Sequence, residues 1–459
     1  MFSNLINRIK KSNNTLINMA PYAICICFLI AFLPNIFGKL GLNLSQIVQI
    51  AFRAIGSLVF VIYSLLLWIS CGRVKNCKKS IVLFSVVIIF VLIIPFFRFG
   101  TLLEFEYLEP YYYKLFHVTF TFGLIDILTY YVTAVFNMFF AFSLFVILKD
   151  YYKQAKHYLL PFYLFVSLML ICVFYSLIIE RNYYILFLKG KDTLKIASLF
   201  PSKNAFGLFL FQAFVVSLYL FSQIRKRHRY LFIPIAVLFF IVTFFNGCKT
   251  ALFADLLFLL FGLNHLSFTD RHMRKGVSFS ILAFSTAFVC AFVLFFAIPS
   301  FHQNGILKTL HFRITKGLET DSRIGIYSSY FDHFTLKGFL TGYTYQTRAH
   351  IFYWTSETTI FTDVQDMHNS FLQILTTYGV IILILYLSMF VYAFYITQHK
   401  TEKNLANSVI FAILISTLMY TFFEDIQIFM SGSANSFLLS LITICCIERT
   451  NNEVIEITI

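Results

Sequence analysis

Long apolar runs separated by short polar segments dominate the sequence. Each run is close to the length of about 20 residues that an α-helix needs to cross a bilayer. The pattern therefore predicts an all-α, polytopic integral membrane protein. The predicted spans are 17–38, 45–70, 80–98, 128–148, 158–179, 204–223, 229–246, 249–267, 276–299, 371–397, 407–423 and 433–447.

Composition agrees with the hydrophobic pattern. Hydrophobic residues make up 59% of the chain and charged residues only 12%, about half of what soluble domains carry. We expect no cleavable signal peptide, because the first apolar run is long, contains Pro34 and lacks a small-residue cleavage site. The cysteines show no metal-ligand spacing and mostly lie in apolar runs, which is typical of small core residues.

Basic residues are distributed unevenly between the two sides of the predicted bundle. The short segments "RVKNCKK", "KDYYKQAKH", "RKRHR", "DRHMRK" and "HKTEK" fall on the same side as both termini. The positive-inside rule makes that side cytoplasmic. It also accounts for much of the net charge of +15, so we expect no nucleic-acid partner. Three parts follow: helices one to nine in 1–299, a large outer loop in 300–370, and the last three helices with a cytoplasmic tail in 371–459.

Charged residues on the outer side are not explained by the positive-inside rule, so they are candidates for an active site. In "NGCKTALFADLL", Lys249 begins a predicted span after a very short turn. The free N–H groups of a helix start and an ammonium group together suit an anion. A lysine that extends to the membrane interface is the alternative.

A second candidate group lies in the large outer loop. Arg323, Tyr327 and Tyr330 in "DSRIGIYSSY" are spaced i, i+4 and i+7 and share one face of a predicted helix. A guanidinium can grip two phosphate oxygens, and the tyrosines offer hydroxyl groups or a stacking surface for sugar. The alternative is a surface arginine paired with Asp321 or Glu319.

A third group, "DMHNS", ends the same loop. His368 lies there at the start of a predicted span, beside Asn369. Histidine is the side chain best suited to proton transfer near neutral pH, although a histidine at a membrane interface is often unremarkable.

A basic set also lies between the fifth and sixth spans: Arg181, Lys189, Lys191, Lys195 and Lys203. A basic patch on the outer side suggests a phosphorylated or polyanionic ligand, and lipid headgroups are the alternative.

Charged residues inside predicted spans need a separate explanation, since they are costly there unless paired or functional. Arg53 and Asp255 are the clearest, and we expect structural roles, including pairing with each other. Glu424 and Asp425 end a span on the outer side, where they could orient a cation or act as an acid or base.

Several of these motifs together resemble the O-antigen ligase and polymerase superfamily. "MHNSFLQILTTYGVIILILYL" is similar to the family element in which a His-Asn pair ends the large periplasmic loop. "DSRIGIYSSYFDHFTLKGFLTGY" resembles the preceding Arg-bearing helix and its turn, which includes Tyr343. "NGCKTALFADLLFLLFG" and "PSKNAFGLFLFQAF" resemble two span starts, and the order agrees over roughly residues 200–400. The chain has Lys249 where the family commonly has arginine, so the bidentate fork is lost at that position.

The resemblance implies inverting glycosyl transfer from undecaprenyl diphosphate at the periplasmic face of a bacterial inner membrane. His368 would activate the acceptor hydroxyl, and Arg323 and Lys249 would bind the diphosphate. Neither a cofactor nor a metal is expected. The implied partners are an undecaprenyl-diphosphate-linked oligosaccharide, membrane lipids and a chain-length regulator protein.

Candidate substrate-binding residues are Tyr327, Tyr330, Tyr343, Asn369, Arg181, Lys195 and Lys203. A polymerase that joins repeat units is the first hypothesis, because acceptors and sequences diverge between serotypes. A ligase that transfers polymer to the lipid A core is the second. A polysaccharide flippase is a distant third, because the long outer loop and the absence of an obvious repeat argue against it.

Overall fold

The computed structural model is helical wherever it describes regular structure. It describes these parts of the chain, with single residues between them: 13–39, 58–67, 152–191, 196–200, 202–224, 227–269, 336–342, 368–399 and 405–424. No strand occurs in these ranges. The all-α prediction is therefore confirmed for this part of the protein.

The helices of the described ranges are numbered in chain order. They are α1 (Asn13–Lys39), α2 (Leu160–Ile179), α3 (Arg181–Leu188), α4 (Lys203–Gln223), α5 (Phe232–Asn246), α6 (Lys249–Thr269), α7 (Leu336–Thr341), α8 (Ser370–Tyr378), α9 (Val380–His399) and α10 (Leu405–Phe423). A short apolar helix also covers Leu58–Leu67. Single turns of 3-10 helix precede α2 and α5, at Tyr152–Gln154 and Arg227–Leu231.

Three of the described helices are long and apolar enough to cross a membrane. They are Leu160–Ile179, Lys203–Gln223 and the continuous stretch Arg227–Asn246. Their mean hydropathies of 2.5, 1.9 and 1.9 are typical of membrane-spanning helices. The chain is thus a membrane protein whose described ranges are helical, while the count of twelve spans stays a prediction.

Helix α4 lies at the centre of the packed helices. In its most apolar window 78% of the residues are buried, against 39% for α2 and 28% for the stretch that contains α5. Phe209 of α4 packs its ring against those of Phe32, Phe165 and Phe200, with centroids 4.7–6.2 Å apart. We call these four rings the aromatic interior. It joins α1, α2 and α4 by close packing, which is the main source of helix association in a lipid environment.

Helices α6 and α10 form a long antiparallel pair with a clear register. Thr250 hydrogen-bonds Glu424 at one end of the pair, and His265 hydrogen-bonds Ser408 at the other. Between these contacts, Gly262 lies so close to Ala412 that an added Cβ would be 3.2 Å from the alanine Cβ. The pair therefore fixes the end of α10 beside the start of α6, where a site was predicted.

The predicted span 371–397 is wrong in one respect: it is two helices rather than one. Gly379, with φ 87° and ψ 174°, separates α8 from α9. This region of conformational space is essentially restricted to glycine. A Cβ at Gly379 would also overlap the backbone of Leu340 in α7, and one at Gly342 would overlap the backbone of Thr377. The two glycines thus let α7 touch the break directly.

Other predicted boundaries agree closely with the structure. The spans predicted at 158–179, 204–223, 249–267 and 407–423 correspond to α2, α4, α6 and α10. Helix α3 was not predicted and lies in the loop between α2 and α4. The predicted spans 80–98, 128–148, 276–299 and 433–447, and nearly all of the 300–370 loop, lie outside the described residues.

Candidate active site

Several helix ends meet at one end of the bundle. Hydrogen bonds connect the end of α5 to the start of α4, the start of α6 to the end of α10, and the start of α8 to the end of α10. We call the group Asn246, Lys249, Thr250, His368 and Glu424 the polar end. It brings together residues that are far apart in sequence, including two of the three predicted catalytic residues.

Asn246 organises the turn between α5 and α6. Its side-chain nitrogen donates to the carbonyl oxygens of Ile196, at 2.6 Å, and Lys203, at 3.1 Å. Its side-chain oxygen accepts from the backbone N–H of Cys248. Gly247 caps α5 in the left-handed conformation, with φ 72°. A buried amide with these partners fixes the turn, and with it the first residue of α6.

Small residues allow this turn to approach α4. A Cβ at Gly207 would overlap the Cβ of Cys248, so only glycine permits the observed separation. Burial raises the pKa of the Cys248 thiol to about 11. The thiol is therefore a packing group and not a nucleophile.

Lys249 is the first residue of α6 and is exposed. No acidic residue occurs in the first turn of the helix. Lys249 thus lies at the positive end of the helix dipole, as the sequence predicted, and anion binding there stays a prediction. The next residue, Thr250, donates its hydroxyl to Oε1 of Glu424 at 3.3 Å.

His368 immediately precedes the N-cap of α8. Its backbone is in the left-handed region, with φ 48°, and its side chain is 39% exposed. Nδ1 of the imidazole lies 3.9 Å from Oε2 of Glu424. A partly exposed histidine facing a carboxylate has the arrangement of a general base.

Asn369 has a structural role in addition to the substrate contact predicted for it. Its side-chain oxygen accepts the backbone N–H groups of Phe371, at 2.9 Å, and Leu372, at 3.1 Å. The residue is 3% exposed. It therefore caps α8 and fixes the position of His368, and the substrate contact stays a prediction.

The basic set begins in a folded loop next to the polar end. Arg181 starts α3 and is exposed, and Lys203 starts α4 and is half-buried. The carboxylate of Glu180 accepts the backbone N–H of Ser198 at 3.0 Å, which closes the loop back onto the end of α2. Asn246 then connects this loop to the α5–α6 turn through Ile196. Arg181 and Lys203 thus belong to the same end of the bundle as Lys249.

Several predicted site residues lie outside the described residues: Arg323, Tyr330, Tyr343 and Lys195. Tyr327 is described singly, as a half-buried helical residue. Their places relative to His368 and Lys249 therefore remain predictions.

Asp255 is fully buried in α6 at the interface with α10. Neither carboxylate oxygen has a hydrogen-bond partner within the described residues; the hydroxyl of nearby Thr243 donates instead to the backbone of Phe239. The register of the α6–α10 pair sets Asp255 level with Leu418 and Met419. Arg53, the predicted partner, lies outside the described residues, so the pairing stays a prediction.

Sequence reasoning mentioned Glu424 but left it out of the site. Its signal was an acidic residue at the outer end of a span. Its contacts with His368 and Thr250 depend on residues separated from it by 56 and 174 positions, which no local pattern reveals. Across the described ranges, no three His, Cys, Asp or Glu side chains are grouped closely enough to hold a metal ion.

Comparison with known proteins adds no further assignment. No protein-family model matches the chain, and no curated protein matches it significantly.

Proposed function

We propose that this protein is a glycosyltransferase of the O-antigen polymerase type, with twelve membrane spans and an active site at the periplasmic face of the bacterial inner membrane. It joins oligosaccharide repeat units carried on undecaprenyl diphosphate. The proposal rests on the resemblance of the motifs and on one observation: the helix starts that carry Lys249 and His368 both contact the same residue, Glu424.

The chemistry required is displacement at an anomeric carbon. The acceptor hydroxyl forms a bond to that carbon while the bond to the diphosphate oxygen breaks, with inversion. His368 takes the hydroxyl proton. Lys249 and the N–H groups at the start of α6 stabilise the negative charge on the leaving diphosphate. The donor carries its own leaving group, so no nucleotide is required.

Arg323 is proposed to complete the diphosphate site through a bidentate contact, and Tyr327, Tyr330 and Tyr343 to contact sugars. In a polymerase the acceptor also carries a diphosphate, so a second cationic subsite is needed. Arg181 and Lys203, together with Lys189, Lys191 and Lys195, are the proposed second subsite.

Replacing Lys249 tests its proposed role. Lys249→Ala should severely impair glycan transfer. Lys249→Arg should retain transfer, because the charge remains and the guanidinium adds a second donor to phosphate. Equal activity of the alanine variant and the natural protein would remove Lys249 from the mechanism.

Cysteine labelling tests the proposed orientation. Asn304→Cys should react with an impermeant thiol reagent added outside the membrane, and Lys226→Cys should not. The reverse pattern would place the polar end in the cytoplasm and exclude the proposed reaction, because His368 would then face the wrong compartment.

Gene deletion distinguishes the polymerase from the ligase. Loss of a polymerase should leave lipopolysaccharide capped with a single repeat unit. Loss of a ligase should leave no repeat unit on the core, and long polymer should accumulate on undecaprenyl diphosphate. Accumulation of single lipid-linked units on the cytoplasmic face would instead support a flippase.

Neutralising the second subsite gives a finer test of the polymerase. The combined variant Lys189→Gln, Lys191→Gln and Lys195→Gln should make shorter chains while still forming the first linkages. Unchanged chain lengths would assign these lysines to the lipid headgroups instead.

A further inference from the structure

Glu424, at the end of α10, makes three contacts with two other helix starts. Its Oε2 lies 3.9 Å from Nδ1 of His368, and its Oε1 accepts from Thr250 at 3.3 Å. Its backbone oxygen accepts from the hydroxyl of Ser370 at 2.9 Å. The side chain is 17% exposed, so water competes only partly for the carboxylate.

We propose that Glu424 is a positioning residue that holds the imidazole of His368 and the start of α6 in one fixed arrangement. The inference deepens the proposed glycosyl transfer and rests on it for its catalytic meaning. The contacts of Glu424 themselves are independent of the reaction.

The first part of the role concerns the imidazole. A carboxylate facing Nδ1 favours the tautomer that carries its proton on that nitrogen. Nε2 is then left to accept the proton of an acceptor hydroxyl. The same carboxylate stabilises the imidazolium that results, as the third member of a catalytic triad does.

The second part of the role concerns the distance between the base, His368, and the leaving-group site at Lys249. Thr250 lies directly after Lys249, and its hydrogen bond to Glu424 fixes the first turn of α6. Ser370 fixes the first turn of α8 to the same residue. Glu424 thereby sets the separation between the base and the leaving-group site, to which rates of positioned reactions are highly sensitive.

The backbone of His368 supports this interpretation. A φ of 48° is uncommon for a residue other than glycine and persists only where the surroundings impose it. The cap made by Asn369 and the hydrogen bond from Ser370 to Glu424 supply that constraint immediately after His368.

Titratable and charged groups near Glu424 come from three elements. Tyr420 of α10 and Cys248 of the α5–α6 turn interact electrostatically with its carboxylate, Lys203 at the start of α4 interacts with Cys248, and Lys249 directly follows Cys248. The carboxylate of Glu424 lies at ion-pair distance from the imidazole. Removal of its charge should therefore favour the neutral imidazole.

Modification by diethyl pyrocarbonate measures this effect without any glycan. The reagent attacks neutral imidazole, and mass spectrometry reports its rate at His368 as a function of pH. In Glu424→Gln, which keeps the shape of the side chain, the midpoint should move to lower pH than in the natural protein. Glu180→Gln is the matched control, because Glu180 contacts Ser198 and not His368, and its midpoint should stay unchanged. An unshifted midpoint in Glu424→Gln would overturn the proposal.

Steady-state kinetics test whether Glu424 contributes to the rate of glycan transfer. With lipid-linked repeat units as substrate, Glu424→Gln should lower kcat about tenfold or more with little change in KM, since positioning acts in the transition state. Glu424→Asp, which keeps the charge, should recover part of the loss. Wild-type kcat in Glu424→Gln would refute the positioning role. A shifted midpoint with no glycan transfer by the natural protein would uphold the contact with His368 and refute the proposed function instead.

Discussion

The aromatic interior and the polar end are stabilised by different interactions. Phe209 and its neighbours contact one another through ring edges and faces, which tolerate small shifts. The polar end depends on single hydrogen bonds whose donors and acceptors are specified atom by atom, such as those of Asn246. We therefore expect the aromatic interior to determine the stability of the bundle and the polar end to determine the proposed activity.

The largest expected difference between the two regions is in activity. His368→Ala should lower kcat about 100- to 10,000-fold, because general-base catalysis is lost, while the thermal unfolding of the protein is unchanged. Turnover of lipid-linked repeat units and unfolding in detergent measure the two effects.

A second histidine provides the control for this prediction. His265 lies in the same helix as Lys249, about 24 Å along α6, where it hydrogen-bonds Ser408 and stacks on Phe411. His265→Ala should keep kcat within about twofold per folded molecule. A loss as large as that of His368→Ala would show that activity does not depend on the polar end in particular.

A substitution in the aromatic interior should have the opposite effect, which is lower stability with unchanged specific activity. Phe209→Ala should destabilise the protein by about 3–5 kcal/mol, since it leaves a cavity among three rings. Thermal unfolding in detergent measures the loss, and the folded fraction should keep its specific activity. Phe174→Ala is the control, because Phe174 in α2 is 54% exposed. Equal stability of both variants would contradict the central place of α4.

Substitution of Gly379 should lower both the stability and the activity by intermediate amounts. Gly379→Ala forces a Cβ against the backbone of Leu340 and into a conformation with φ 87°, at a cost of about 1–3 kcal/mol. Activity should also fall, because α8 presents His368. Gly262→Ala is the matched control in a regular helix, where only the Cβ of Ala412 is close. If Gly262→Ala were the more harmful change, the break between α8 and α9 would not be a constrained junction.

The smallest effect concerns the thiol of Cys248, which packs on Gly207 of α4 and directly precedes Lys249 of the polar end. Burial raises the pKa of Cys248 to about 11, so the group is a neutral thiol throughout the range from pH 6 to about pH 9 and becomes thiolate only near pH 11. Maleimide labelling at pH 8 should therefore be slow until the protein is denatured. Lys249→Cys, at the exposed neighbouring position, should label readily. Fast labelling of Cys248 in the folded protein would show that the turn opens.

Much of the described fold follows from local sequence. Helix α4 was predicted to within one residue, since Ser202 caps its start and the apolar run ends at Gln223. The division at Gly379 was missed, because apolar residues continue on both sides of the glycine. Helix α3 was missed because eight residues are too few for a clear period.

The candidate site was predictable only in part. Lys249 and His368 were identified because charges at the ends of membrane spans stand out. The contact of Glu424 with both helix starts could not be predicted, since it arises from the antiparallel register of α6 and α10. The capping role of Asn369 was not predicted, because a capping asparagine and a ligand-binding one look the same in sequence.

The reciprocal contact of Gly342 and Gly379 sets a rule for building chimeras of this protein. Each glycine has its Cα against the backbone of the other's segment, so no side chain separates α7 from the α8–α9 junction. Residues 336–379 must therefore be transplanted as a single unit, with the upstream exchange point placed before Leu336 and the downstream one after Gly379. An exchange point inside this interval would take α7 from one protein and the α8–α9 junction from another, although their backbones are in direct contact.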